Sequence, residues 1–395
     1  MNSIQTQTKV EGQKSALLSF IVMTVFYLTY QLLVFFSYIS PIFGGYFTVG
    51  ALIAFPLLFV SFIKQRRYLQ FWRTTIGTAY IFFILLFLMS VMIGVSQGKD
   101  QNILISHYAA LIKFTSVFLL AICLDAQAHR VKILAAISII AFCLIVLSLP
   151  SGALHSNYVD TNNFSDLFQV NYQASASVII IFLIYYLRRN NGFERYLVYT
   201  AACYSIYELG ARFELIASVL VVFSAEYIRA KNKYFYACIV ALLAFFSLFA
   251  YALLFRIPLE GRIFGLLNIS SDESFIQRQD LTYNALETVV NNPIFGNYAS
   301  YYPGMYAHNI ISVWVDFGII GLFLLLYIIM LPLFTLIRRF SKESHRVIYS
   351  QAACAILVVI VSMLAAKDYT YTLIPFAIGL YCRYQRIRII WRGLP

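Results

Sequence analysis

The sequence predicts an all-α polytopic membrane protein with about twelve transmembrane helices, forming a single integral membrane domain over residues 1–395. Three observations predict it. Hydrophobic residues make up 61% of the chain and charged residues only 12%, against about a quarter charged in a soluble domain, and the mean hydropathy is +0.77. Apolar runs long enough for a hydrocarbon core of about 30 Å recur along the chain without the period-two alternation of a barrel strand. The basic residues also cluster in alternate connections, as the positive-inside rule expects of a serpentine chain.

In order, the expected spans are 15–37, 46–63, 75–96, 103–124, 133–150, 172–187, 196–210, 212–228, 234–255, 317–337, 347–366 and 369–383. The first has no small-residue cleavage site behind it and reads as an anchor, not a removable signal. With the N-terminus inside, 22 of the 29 Lys and Arg lie in cytoplasmic stretches, six lie outside, and Lys113 falls within a span. The net charge of +12 is therefore a matter of topology and anionic headgroups, and the chain does not read as a nucleic-acid binder. The six cysteines sit in or at the ends of apolar spans without C-x-x-C spacing, as small buried hydrophobes.

Two outer loops exceed a hairpin, 151–171 and 256–307. The first is polar and has no Lys or Arg. In the second, the spacing predicts a helix over about 275–290, opened by a capping box of Ser274 and Gln277 and stopped by Asn292-Pro293. At 100° per residue, Phe275, Leu281, Ala285, Leu286, Val289 and Val290 share one face, and Arg278 points into its middle. Arg278 either snorkels to headgroups or aims its guanidinium into the protein toward an anion.

After that loop, "HNIISVWVDFGIIG" opens the next span. If 308–317 is helical, His308, Ser312 and Asp316 recur every four residues with Asn309 alongside, a polar stripe on an apolar helix. His308 and Asp316 would then stand about 12 Å apart, too far to pair. Further back, "YELGARFELIASVL" places a turn at Gly210 between two short spans, with Glu208 four residues before Arg212 and Glu214 two after, so that an i,i+4 Glu208–Arg212 pair is the ordinary reading. Lys113 must face protein or a water-filled cavity, either lining a site for an anion or pairing with Glu208 or Glu214.

Those three patches, in this order, resemble the O-antigen polymerase and O-antigen ligase superfamily, the Wzy-like membrane glycosyltransferases. The likeness covers roughly residues 205–325: an Arg-containing turn opening a span ("GARFELIASVLVVF"), an Arg-bearing helix leading to an Asn-Pro-aliphatic-Phe-Gly turn ("RQDLTYNALETVVNNPIFGNY"), then a His-Asn with a downstream Gly-x-x-G. The resemblance implies a GT-C-like fold with a partly helical periplasmic loop, in the bacterial inner membrane with its active site facing the periplasm. It implies metal-independent, inverting transfer from an oligosaccharide on undecaprenyl diphosphate, with no cofactor. Arg212 and Arg278 would hold the lipid diphosphate and His308 would take the proton of the attacking hydroxyl. Asn309, Asp316, Arg262, Lys113 and Glu208 are the supporting candidates. Partners would be the lipid-linked oligosaccharide, membrane lipids, and the chain-length regulator and flippase of the same pathway. One departure is plain: the Arg-x₁₀-Gly motifs of some polymerases are missing from both loops. The favoured expectation is a polymerase joining repeat units. A ligase transferring the glycan to lipid A-core shares the same three residues, and a flippase or other transporter is the alternative outside enzymes.

Overall fold

The computed structural model describes residues 2–36, 38–40, 46–65, 74–125, 128–149, 171–187, 192–230, 273–343 and 346–392. The expected span 234–255, Arg262, and the loop 151–171 apart from Asn171 lie outside the described residues. Among the described residues every regular element is helical. The helices are α1 Asn2–Phe20, α2 Phe26–Phe35, α3 Tyr46–Lys64, α4 Thr75–Ser96, α5 Gln101–Cys123, α6 His129–Leu147, α7 Tyr172–Tyr186, α8 Glu194–Glu208, α9 Arg212–Arg229, α10 Glu273–Asn291, α11 Ile311–Glu343, α12 Val347–Ala365 and α13 Leu373–Arg392. A π-turn, Ile21–Val25, joins α1 to α2 into one apolar rod.

Seven of these segments are long and apolar enough to cross a membrane: Glu11–Phe35, α3, α4, α5, α6, α11 and α12. The chain is thus a multi-pass, membrane-embedded helical protein. Helices also occupy the shorter expected spans as α7, α8, α9 and α13. α7 is apolar on every side and buried from Ser175 to Tyr186, as a helix in the middle of a bundle must be. The buried first half of α13 packs beside it and against α5 and α12.

One expected boundary is corrected. The hydropathy pattern starts the last span at 369, but Asp368-Tyr-Thr-Tyr-Thr372 is not helical and α13 begins only at Leu373. Pro375 sits in its first turn, where a missing N–H costs nothing. The displaced segment 366–371 folds into the bundle, leaving Ala366, Lys367, Tyr369 and Tyr371 buried.

The ends of the bundle differ. At one end the basic stretches pair with acids: Lys64 with Glu11 at 2.8 Å, Arg195 and Arg229 with Glu226 at 3.1 and 2.8 Å, and Arg383 with Asp125. At the other end lie 293–310 and 366–372, which carry the candidate site.

Candidate functional site

The Pro-Ile-Phe-Gly turn and the Asp-Phe-Gly of α11 are locked together through their backbones. α11 is broken at Gly318 (φ 65°, ψ −168°), a conformation that glycine adopts without a Cβ clash. The groups freed there are taken up by the turn. Asn297 N–H donates to the Val315 carbonyl at 2.6 Å, and Ile319 N–H donates to the Pro293 carbonyl at 3.0 Å. The Trp314 indole N–H donates to that same carbonyl at 2.9 Å. Asn309 caps the helix: its Oδ1 accepts from Ile311 N–H at 2.9 Å, while its Nδ2 donates to Thr282 of α10 at 3.3 Å. The expected stripe is corrected accordingly. Because α11 starts at Ile311, His308 and Asn309 precede it, and only Ser312 and Asp316 lie on it, both buried.

Asp316 belongs to a closed polar network that ties four segments together. Its Oδ1 accepts from Ala299 N–H at 2.9 Å, and its Oδ2 accepts from the hydroxyls of Tyr369 at 2.5 Å and Tyr301 at 3.1 Å. Those two hydroxyls also meet His107 Nε2 at 3.4 and 3.3 Å, and Tyr298 OH meets His107 Nδ1 at 2.6 Å. Since both tyrosines spend their protons on Asp316, they can only accept from His107. That assigns its proton to Nε2 and leaves Nδ1 to accept from Tyr298. Phe87 packs edge-on against His107 and Tyr369, and Phe317 edge-on against Tyr369. Ala299 is held at φ 51°, the one positive φ outside glycine among the described residues. Asp316 is therefore a buried scaffold group that accepts three hydrogen bonds.

The charged residues gather just outside this scaffold. Arg278 is half-buried on the inward side of α10, on the face that buries Ala285 and Val289. His308 lies within electrostatic reach of Arg278, Asp368 and Lys367, and its ring packs 4.7 Å from that of Tyr306. Burial, and then Arg278 and Lys367, hold the His308 imidazole below the ordinary histidine range, with Asp368 opposing them. Tyr306 is pushed up, first by Asp368 and then by burial. Lys367 pairs with Glu214 at 2.5 Å and takes Gln173 Oε1 at 3.1 Å, so the first turn of α9, which carries Arg212, is pinned to segment 366–372. Asp368 is also within electrostatic reach of Lys113.

Of the sequence candidates, Arg278, His308 and Asn309 come together, and Lys113 joins them through Asp368. Two readings change. The structure gives Glu214 to Lys367 and not to Lys113. Glu208 ends α8 and Arg212 starts α9, so the two stand on either side of a turn with Gly210 at φ 67° and not on one helix face. Ser274 lies inside α10, which already begins at Glu273, and not ahead of it as a cap. His107, Tyr298, Tyr301, Lys367, Asp368 and Tyr369 do not stand out in the sequence. The only signal is a Lys-Asp pair at a junction between two apolar runs, followed by alternating Tyr and Thr.

A cavity of about 380 Å³ opens between α10, segment 300–307 and the start of α11, with Tyr306 and Ala307, the two residues before His308, in its wall. Its wall includes Asn284, Thr288, Ser300, Tyr301, Tyr306 and Ser312.

These features define a polytopic membrane protein whose polar, partly cationic site sits at one end of its helical bundle. Comparison with known proteins gives no match to a family model, to a curated protein or to a solved structure.

Proposed function

We propose that the chain is an O-antigen polymerase of the Wzy type, in the bacterial inner membrane, joining undecaprenyl-diphosphate-linked oligosaccharide repeat units at the periplasmic face. The twelve-span topology and GT-C-like architecture are part of this reading. The observation that carries it is the placement of half-buried His308 within electrostatic reach of Arg278, where a base and an anion-binding cation are needed together.

In the proposed step, a hydroxyl oxygen of the acceptor sugar attacks the anomeric carbon of the donor. The new C–O bond forms on the face opposite the breaking bond to diphosphate, so the configuration inverts. The hydroxyl proton passes to His308. The electron pair of the broken bond leaves on undecaprenyl diphosphate, whose charge Arg278 and Arg212 hold. An imidazole kept below its usual range by burial and neighbouring cations is neutral at neutral pH and free to accept that proton. Guanidinium groups are suited to diphosphate because they offer fixed, permanently charged donors. The buried network under Asp316 supports the reading by fixing the segment that presents Tyr306 and His308.

The test is chain extension by purified protein on a lipid-linked repeat, with lipid-diphosphate binding measured separately. His308→Ala should abolish extension, a loss of at least ~10²-fold, while binding persists. Arg278→Ala should lose both, and Arg278→Lys should recover little because the planar fork is gone. Folded His308→Ala that extends chains normally would remove His308 from the mechanism. Transfer to lipid A-core in place of repeat joining would favour the ligase. Absence of turnover, with transport of the lipid-linked substrate in vesicles, would favour a transporter.

A further inference from the structure

We infer that the cavity between α10 and segment 300–307 is the binding site for the acceptor glycan and takes an uncharged saccharide, an assignment that rests on the glycosyltransferase reading. At about 380 Å³ it falls within the range of small-ligand sites, about 300–1,000 Å³. Its wall carries groups that recognise sugars: the amide of Asn284, the hydroxyl of Ser300, the lone pairs of the Thr288 hydroxyl, whose proton goes to the Asn284 carbonyl at 3.1 Å, and the rings of Tyr301 and Tyr306. Among the described residues that line it, none is Asp, Glu, Lys, Arg or His. A uronic or sialic acid would lose its hydration there without gaining a cation in return.

Position decides between donor and acceptor. The anomeric sugar of the donor must sit against the diphosphate and hence among cations. The wall of the cavity on α10 instead starts with apolar Leu281, three residues and about 4.5 Å beyond Arg278, and its first polar group is Asn284, six residues and about 9 Å beyond it. Tyr306 joins the two regions, lining the cavity while its ring packs 4.7 Å from His308. A sugar seated in the cavity can therefore turn a hydroxyl past Tyr306 toward His308, with Arg278 at the edge of the cavity and not in its wall. That is the requirement for the attacking partner. Asn284 is exposed and Thr288 half-buried, so both can be altered with little disturbance of the α10–α11 packing, which rests on Ala285, Val289 and Val315.

The probe is the oligosaccharide repeat released from the surface polysaccharide of the cells that carry this chain. Its binding to purified protein in detergent is followed by saturation-transfer NMR, with inorganic pyrophosphate as a second, independent ligand. Asn284→Ala and Thr288→Trp should each weaken saccharide binding at least about five-fold, the loss of one good hydrogen bond or of the space for the sugar, and leave pyrophosphate binding unchanged. In extension assays with the soluble repeat as acceptor, both should raise the acceptor KM and leave the donor KM alone. If wild-type protein extends chains and folded Thr288→Trp binds the saccharide normally, the acceptor sits elsewhere and the cavity assignment falls alone. The assignment also falls if the wild type gives no saccharide signal, or if the two variants raise the donor KM instead. If wild-type protein binds the repeat in the cavity but never extends it, the glycosyltransferase reading fails and the saccharide site stands.

Discussion

Gly296 and Gly318 meet backbone to backbone: a Cβ on Gly296 would lie 2.6 Å from Gly318 N and 2.5 Å from the Val315 carbonyl oxygen. A Cβ on Gly318 would land on the Ile294 carbonyl. Both glycines hold positive φ, at 72° and 65°. Alanine at either position meets the left-handed penalty of about 1–2 kcal/mol, with a backbone collision added. Gly318→Ala and Gly296→Ala should each lower the thermal midpoint by several degrees and loosen 293–310, seen as faster proteolysis there. Gly304→Ala, at φ 81° but in open space, should cost only the left-handed penalty. If all three lose equal stability, the interlock contributes nothing.

The helices are legible in the sequence because burial in lipid leaves a long apolar signature that local context hardly alters. The span expected at 75–96 is observed at Thr75–Ser96, and the one at 46–63 at Tyr46–Lys64. Asn292-Pro293 stops α10 as expected, and 100° periodicity puts Arg278 on the side that buries Ala285 and Val289. Leu286 and Val290 share the expected apolar face yet are exposed, because α11 covers a narrower sector than the apolar one. Pairing at long range leaves no such signature. His107 is one polar residue in an apolar run, and only the fold brings Tyr298, Tyr301 and Tyr369 to it. Asp368 escapes notice for a related reason: it directly precedes the expected span 369–383, where no periodicity marks the true start of the helix.

The buried network itself yields the second prediction. His107→Ala should strand Tyr298 OH without its 2.6 Å partner and cost about 1–3 kcal/mol, the usual effect of an unsatisfied buried polar group. Tyr369→Phe should be similarly damaging, since Asp316 would lose its shortest hydrogen bond. Chemical denaturation in mild detergent measures both. A variant as stable as wild type would mean that the four segments are held by apolar packing alone.

Lys367 and Glu214 give a double-mutant test. Their side chains are 10% and 2% exposed, and breaking one member of such a buried pair typically costs about 3–5 kcal/mol, while replacing both can be nearly neutral. Glu214→Gln and Lys367→Met should each destabilise severely, and the double variant should recover most of the loss. Lys113→Met should show no such coupling to Glu214. Coupling of Lys113 with Glu214 in the same cycle would show that the acid serves both lysines.

His308 supplies the last prediction, read without any turnover. Its imidazole sits below the ordinary value of about 6.5 through burial first, with Arg278 and Lys367 adding to the shift and Asp368 opposing it. Labelled-histidine NMR of the detergent-solubilised protein should resolve a ring that titrates below that value, assigned by its loss in His308→Gln. Removing a cation must raise the midpoint, so Arg278→Ala should move it up. Removing the anion must lower it, so Asp368→Asn should move it down. The linkage has one sign: the folded state favours the neutral ring more than the unfolded chain does. The stability this contributes is therefore complete above about pH 6.5 and is lost as the pH falls through the folded midpoint. A bound diphosphate adds negative charge beside the ring, so pyrophosphate should raise the midpoint in wild type and do so less in Arg278→Ala. A midpoint that ignores all three changes would place His308 outside the charge cluster and leave the proposed base without its setting.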